Sequence, residues 1–133
     1  TQVENAVDPL TKVSNRRHFD QQLDRWIHAS KESGRFVLAM LDIDDFKRVN
    51  DAYGHQIGDR VLQDVARCIR ANVRNEDVIS RYGGEEFALL LRVKLIFGVI
   101  ILRLAWVFRS AISDTASATP SFFLRVNWAS LIP

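Results

Sequence analysis

Apolar positions along the first 91 residues recur with two alternating periods. Phe19, Leu23 and Trp26 or Ile27 follow helical spacing while Asp20 and Asp24 lie off that stripe. This pattern predicts an amphipathic helix of roughly five turns, beginning near Asn15 and stopped by Gly34. Ahead of it, Asp8-Pro9-Leu10-Thr11 reads as a turn, with Ser14 or Asn15 able to cap the first free amides. Phe36 to Leu41 is short and apolar, which favours a buried strand, and it ends abruptly on Asp42, Asp44 and Asp45. Phe46 and Val49 suggest a short helix that Tyr53-Gly54-His55 interrupts with a loop. The next helix is expected from Gly58-Asp59, with Asp59 as its cap and Val61, Leu62, Val65, Ala66, Ile69 and Val73 as its apolar stripe. Arg67, Arg70 and Arg74 fall mostly off that stripe. Asp77 then leads into Val78 to Tyr82, a Gly83-Gly84 turn, and Glu86 to Leu91, which reads as strand, two-residue loop, strand.

Beyond Arg92 the pattern changes. Leu95 to Leu102 is apolar but bracketed by Lys94 and Arg103, too short for the roughly 20 apolar residues of a membrane span, so a buried helix or strand is expected. Ser110 to Ser121 is rich in Ser, Ala and Thr with Pro120 near its end, and resembles a linker. Phe122-Phe123-Leu124 with Trp128 reads as a last strand or an unpaired sticky segment.

The net charge of +2 conceals an asymmetry, since residues 1–91 hold 13 basic and 15 acidic side chains and residues 92–133 hold 5 and 1. The basic residues of the tail are scattered and form no patch, which argues against nucleic acid as a partner. A length of 133 residues allows one domain, and 47% hydrophobic with 26% charged residues is ordinary for a soluble globular protein. The single Cys68 rules out an internal disulfide, fits a reducing compartment, and is expected on the buried side of its helix. A start at Thr1 with no charged-then-apolar leader reads as a cut from a longer protein rather than a signal peptide.

The carboxylates carry the candidate chemistry. Asp42 ends one apolar strand and Glu85 opens another, so if the strands are neighbours two acids meet at a sheet edge, with Glu86 and Asp44 nearby. In an extended chain, residues two apart point to one side, which lets Asp42 and Asp44 face one space. Such a cluster outlines a magnesium site, because this hard cation takes one or two carboxylates and completes its shell with water and substrate phosphates. The plainer alternative is a set of solvated strand ends. His55 has no second His or Cys at ligand spacing, and a hydrogen bond in its loop is the expected role.

With these residues in view, the chain resembles the GGDEF domain family, the diguanylate cyclases and their degenerate relatives. Gly83-Gly84-Glu85-Glu86-Phe87 corresponds to the signature. Three further blocks agree in order: Asp8-Pro9-Leu10-Thr11 with Asn15-Arg16-Arg17, Leu41-Asp42-Ile43-Asp44-Asp45-Phe46-Lys47 with Asn50-Asp51, and Tyr53-Gly54-His55 with Gly58-Asp59. The resemblance spans residues 8–91. It implies an α/β (α+β) fold with a mainly antiparallel sheet flanked by helices, like the ferredoxin-like palm of nucleotide cyclases and polymerases. It also implies condensation of two GTP into cyclic di-GMP and pyrophosphate by a homodimer in the cytoplasm, tethered to a membrane only through segments upstream.

Carried over residue by residue, the resemblance assigns Mg²⁺ or Mn²⁺ to Asp42, Glu85 and the Ile43 carbonyl, and positioning or deprotonation of the attacking hydroxyl to Glu86. Asn50 and Asp59 match the guanine-reading positions, where an Asp facing N–H donors and an Asn amide offering both donor and acceptor would choose guanine over adenine. Gly83 and Gly84 would let the nucleotide approach the turn, and Phe46 and Lys47 at a helix start would meet the β- and γ-phosphates. Arg74 and Asp77, five residues before Gly83, match an Arg-x-x-Asp site where cyclic di-GMP inhibits. The same two residues also suit a helix end and a turn cap, as Asp59 suits a cap and Lys47 a surface position. Arg16 and Arg17 are expected to pair with acids or stack.

After Leu91 the family's continuation, including the Lys and Arg that grip the triphosphate, is not recognisable, so residues 92–133 read as a divergent tail of frameshift character. An incomplete sheet with open strand edges is the expected consequence. Two alternatives to the cyclase stand beside it: an inactive domain that binds GTP or cyclic di-GMP, and a truncated product without function.

Overall fold

The computed structural model describes residues 4–33, 36–92 and 124–129. Its central strands, β2 (Phe36–Ile43) and β4 (Glu86–Arg92), run antiparallel from Phe36 opposite Arg92 to Asp42 opposite Glu86. On β4 the short β3 (Val78–Arg81) pairs antiparallel, and β1 (Ser14–Asn15) adds to β3 in parallel. On the other side of β2 lies β5 (Leu124–Ala129), antiparallel, which gives a five-stranded sheet in the order β1-β3-β4-β2-β5. The α+β class with a mainly antiparallel sheet is therefore as expected. The expected open edge at β2 is corrected: from Leu38 to Ile43 it pairs with β5. The Gly34 stop, the apolar run after Lys94 and the Ser-rich stretch fall outside the described residues.

Alternation in the strands sorts the core into two layers. Ala39, Leu41 and Ile43 with Phe87, Leu89 and Leu91 face Phe46 of α2 (Phe46–Tyr53) and Leu62, Ala66 and Ile69 of α3 (His55–Asn72). Phe36, Ala88 and Leu90 face the opposite way, toward Phe19, Leu23 and Trp26 of α1 (Arg16–Ser33). Trp26 meets the Phe36 ring edge-on at 5.6 Å, whereas Ile27 is exposed, which settles which of the two completes the α1 stripe. β4 is apolar at five consecutive positions because it is covered on both faces.

Local chemistry sets the boundaries. Asn15 caps α1, its Oδ1 accepting the His18 N–H at 2.9 Å. Gly54, with φ of +87°, is the single residue joining α2 to α3, so the loop expected there shrinks to one position and His55 opens a helix. Asp59 consequently lies inside α3 and does not cap it. Cys68 is half-buried and lies in neither core layer, and burial pushes its thiol pKa up. The β3–β4 connection also differs from the two-residue loop: residues 82–85 separate the strands, and the Tyr82 and Gly83 N–H groups both donate to the Glu86 carbonyl, at 2.8 and 3.2 Å. Neither turn glycine has a positive φ, so the mirror-image turn of a two-residue hairpin is not formed.

Asp77 is a buried carboxylate that joins the end of α3 to the far end of β4. Its two oxygens accept the N–H of Arg74 at 2.9 Å and of Arg92 at 3.1 Å. Asp77→Ala should lower unfolding free energy by about 1–3 kcal/mol, because two amides lose their acceptor. Urea denaturation followed by circular dichroism measures this, and an unchanged midpoint would remove the structural role.

Candidate functional site

The acid cluster is a product of strand register. Asp42 sits directly across from Glu86, so both side chains leave the sheet on one face. The Ile43 N–H donates to the Glu85 carbonyl at 3.2 Å, which draws the turn residue Glu85 against the end of β2 and extends that strand two residues past Leu41. Three acids from two distant stretches thus share one strand end. Asp44 follows β2 in a turn, together with Asp45.

Glu85 registers the crowding of these acids. Burial raises the Glu85 pKa, and the neighbouring charges of Asp42 and Glu86 raise it further. Asp42 Oδ1 is buried and has no hydrogen-bond partner. An unpaired buried acceptor beside further acids is costly unless a cation meets it. Among the described residues no three His, Cys, Asp or Glu side chains converge as a complete metal site. The paired carboxylates with one unpartnered oxygen are a donor set of the kind that suits an ion taking most of its ligands from water and phosphate oxygens.

The turn is held from outside by Arg81. Its Nε and one terminal nitrogen donate to the Gly84 carbonyl at 3.2 and 2.9 Å, while the other terminal nitrogen lies 3.4 Å from Asp8 Oδ1. Asp8 in turn accepts from the Thr11 N–H and hydroxyl at 2.9 and 2.7 Å. Burial pushes the Asp8 carboxyl up, but the Thr11 hydrogen bonds and the Arg81 charge outweigh it and hold the carboxyl below its ordinary range. Local sequence carries no signal for this bracket, because Asp8 and Arg81 are 73 residues apart. Arg16 stacks 4.4 Å over the Tyr82 ring, the stacking alternative foreseen for it. A side chain on Gly83 would meet Glu86 Oε2 at 2.7 Å, whereas the space above Gly84 is open.

The remaining site positions lie on the two helices after β2. Phe46 is buried in the core, so only its backbone can meet a ligand, and Lys47 is exposed. Asp45 precedes α2 in a left-handed conformation, φ 56°, and its side chain does not cap the helix, which leaves the first amides of α2 uncapped. Asn50 is half-buried on α2, facing Gly58 on α3, and Asp59 is exposed next to it. Arg74 and Asp77 lie at the end of α3, away from the strand end that carries Asp42; the bonds described for Asp77 match the turn-cap alternative.

The fold and this strand end together define a nucleotide-cyclase-like domain. The chain matches the family described as diguanylate cyclase, GGDEF domain, over residues 5–95, and it belongs to that family. It is 49% identical over 88 residues to the bifunctional diguanylate cyclase/cyclic di-GMP phosphodiesterase MucR of Pseudomonas aeruginosa, an alignment covering 65% of this chain and 13% of that protein. Against the response regulator PleD of Caulobacter vibrioides it is 46% identical over 87 residues, 65% of this chain and 19% of the relative. The chain therefore spans less than a fifth of the length of either relative. Among solved structures, the GGDEF domain of DgcB from Caulobacter crescentus in complex with c-di-GMP superposes with a TM-score of 0.81 at 34% identity, covering 96% of this chain and 76% of that one. Among the described residues, no helix is long and apolar enough to cross a membrane.

Because the Glu85 pKa is raised in the folded state, the folded chain keeps this proton to higher pH than the unfolded chain does. Its contribution to stability is lost as pH rises through the interval from the ordinary carboxylate pKa to the raised one. At pH 7 with chelator, Glu85→Gln should melt above the parent chain, and the two should converge in acid. Added Mg²⁺ should raise the Tm of the parent and not of the variant. Scanning calorimetry reads both effects, and equal melting at pH 7 would contradict an electrostatically strained cluster.

Proposed function

We propose that this chain is the catalytic portion of a diguanylate cyclase, with residues 8–91 forming the GGDEF part and residues 92–133 a divergent segment. The observation that carries the reading is the buried, unpartnered Asp42 Oδ1 beside Glu85, whose pKa burial and neighbouring acids push up. Asp42, Glu85 and the Ile43 carbonyl would hold Mg²⁺ or Mn²⁺, which supplies charge stabilisation at the α-phosphate and acidifies a bound hydroxyl when present.

Two GTP molecules give one cyclic di-GMP and two pyrophosphates: each 3′-oxygen bonds to the other's α-phosphorus, and the bond from that phosphorus to pyrophosphate breaks. Glu86 positions the 3′-hydroxyl and accepts its proton. Asn50 and Asp59 read guanine, while the α2 amides at Phe46 and Lys47, with the Lys47 ammonium, bind the terminal phosphates. Gly83 and Gly84 keep side chains out of the nucleotide's path, and the open space above Gly84 supports this. Ring closure needs two active sites face to face, so the active species is a homodimer, and a cytoplasmic location follows from its nucleotide substrate. Cyclic di-GMP returns to Arg74 and Asp77 as inhibitor, Asp77 using lone pairs left over from its two amide contacts.

A second reading, a domain that binds GTP or cyclic di-GMP without turnover, is favoured by one observation: no triphosphate-gripping Lys and Arg are recognisable after Leu91. Incubation with GTP and Mg²⁺, followed by chromatography of the nucleotides, separates the two. Cyclic di-GMP should form, and Glu86→Ala and Asp42→Asn should each lower its rate by at least about 100-fold. Binding of GTP with no cyclic product would select the second reading.

A further inference from the structure

We infer that Gly58 is a positioning residue: its missing side chain is the seat in which the Asn50 carboxamide rests, and through that seat it sets recognition of the nucleobase. The inference rests on the proposed role of Asn50 in reading guanine.

Gly58 is buried inside α3, a helix-interior position where glycine is less favourable than alanine. Its φ is not in the left-handed region, so backbone conformation does not call for glycine there. Space does. A Cβ at this position would collide with Asn50 Oδ1 and would lie 3.0 Å from Asn50 Cγ and 3.2 Å from Phe46 Cζ. Phe46 is locked in the core and has little room to retreat, whereas the Asn50 amide is the free end of a half-buried side chain. An added methyl therefore evicts Asn50 rather than separating the helices.

The surrounding construction holds the rest in place. The Gly54 N–H donates to the Asn50 carbonyl at 2.8 Å, so the one-residue link between α2 and α3 fixes the Asn50 backbone. Val49, beside Asn50, is buried, and Asp59 follows Gly58 directly on α3. The pair expected to face guanine is thus assembled from two helices, and the bare Cα of Gly58 sets how closely one comes to the other.

Gly58→Ala, Asn50→Ala and the double variant of the full chain test this with two independent readouts. In ¹H–¹⁵N spectra the Asn50 side-chain amide, identified by its disappearance in Asn50→Ala, should shift in Gly58→Ala while the Tm stays level or rises. An unmoved amide overturns the seat, whatever the chain does with nucleotides. In titrations with GTP and with ATP, Gly58→Ala should weaken GTP binding roughly ten- to hundredfold, as Asn50→Ala does, with ATP unaffected. The double variant should be no weaker than either single one, since both act through one group. Additive losses would mean that Gly58 acts by another route and would overturn the inference. A shifted amide with GTP affinity unchanged in Asn50→Ala would instead overturn the guanine-reading role and with it the second half of the inference. Should Gly58→Ala fail to fold, adding Asn50→Ala should restore folding by clearing the collision, and failure to restore it counts against the seat.

Discussion

The site depends on the antiparallel register of β2 and β4. Seven residue pairs, from Phe36 opposite Arg92 to Asp42 opposite Glu86, leave one solution for which side chains face which helices. A slip of β2 by one residue would turn Leu41 and Ile43 away from α3 and separate Asp42 from Glu86 onto opposite faces. Burial of these apolar side chains therefore enforces the placement of the carboxylates. The apolar core holds in place a polar arrangement that repels itself.

That repulsion is the physical content of the strand end. Like charges directly across an antiparallel pair are destabilising, and here Glu85 adds a third from the turn. The chain sustains this through reinforcement around the cluster rather than relief within it. Arg81 spends its guanidinium on the Gly84 carbonyl and Asp8, outside the acids, and so stiffens the turn without neutralising them. Asp42 Oδ1 is left without a donor. An arrangement that keeps its negative charge unsatisfied while bracing its backbone is suited to a mobile counter-charge that arrives with a ligand.

The helical hairpin after β2 solves a different problem. A single residue, Gly54, in a conformation that side chains rarely adopt, reverses the chain between α2 and α3 and presses Asn50 against Gly58. Asn50 and Asp59, nine residues apart, are thereby carried on adjoining helices whose underside, Phe46, Val49 and Leu62, is core. The strand end offers negative charge, and the helical pair offers hydrogen-bonding edges.

Much of this was legible from sequence because it follows from local period and local chemistry. The α1 stripe, the Asn15 cap, the buried β2 and the β3–β4 hairpin all depend on residues within one element or its neighbour. Strand pairing across the acids could be guessed from Asp42 and Glu85 alone, since one ends an apolar run and the other opens one. What sequence could not carry was contact between distant parts. Asp8 and Arg81 are a turn residue and a hairpin residue until the fold brings them to 3.4 Å. Asp59 read as a cap because the helix was expected to start at Gly58-Asp59; in the fold α3 already begins at His55, and a side chain at Gly58 would meet Asn50. Residues 124–129 gave no sign of whether they pair, because an edge strand is chosen by its partner's free amides and carbonyls, and β2 offered them. Sequence by itself determined the periods, the caps and the chemical types; tertiary structure decided which charges stay unpaired and which glycine makes room, because both are properties of neighbours that sequence separation conceals.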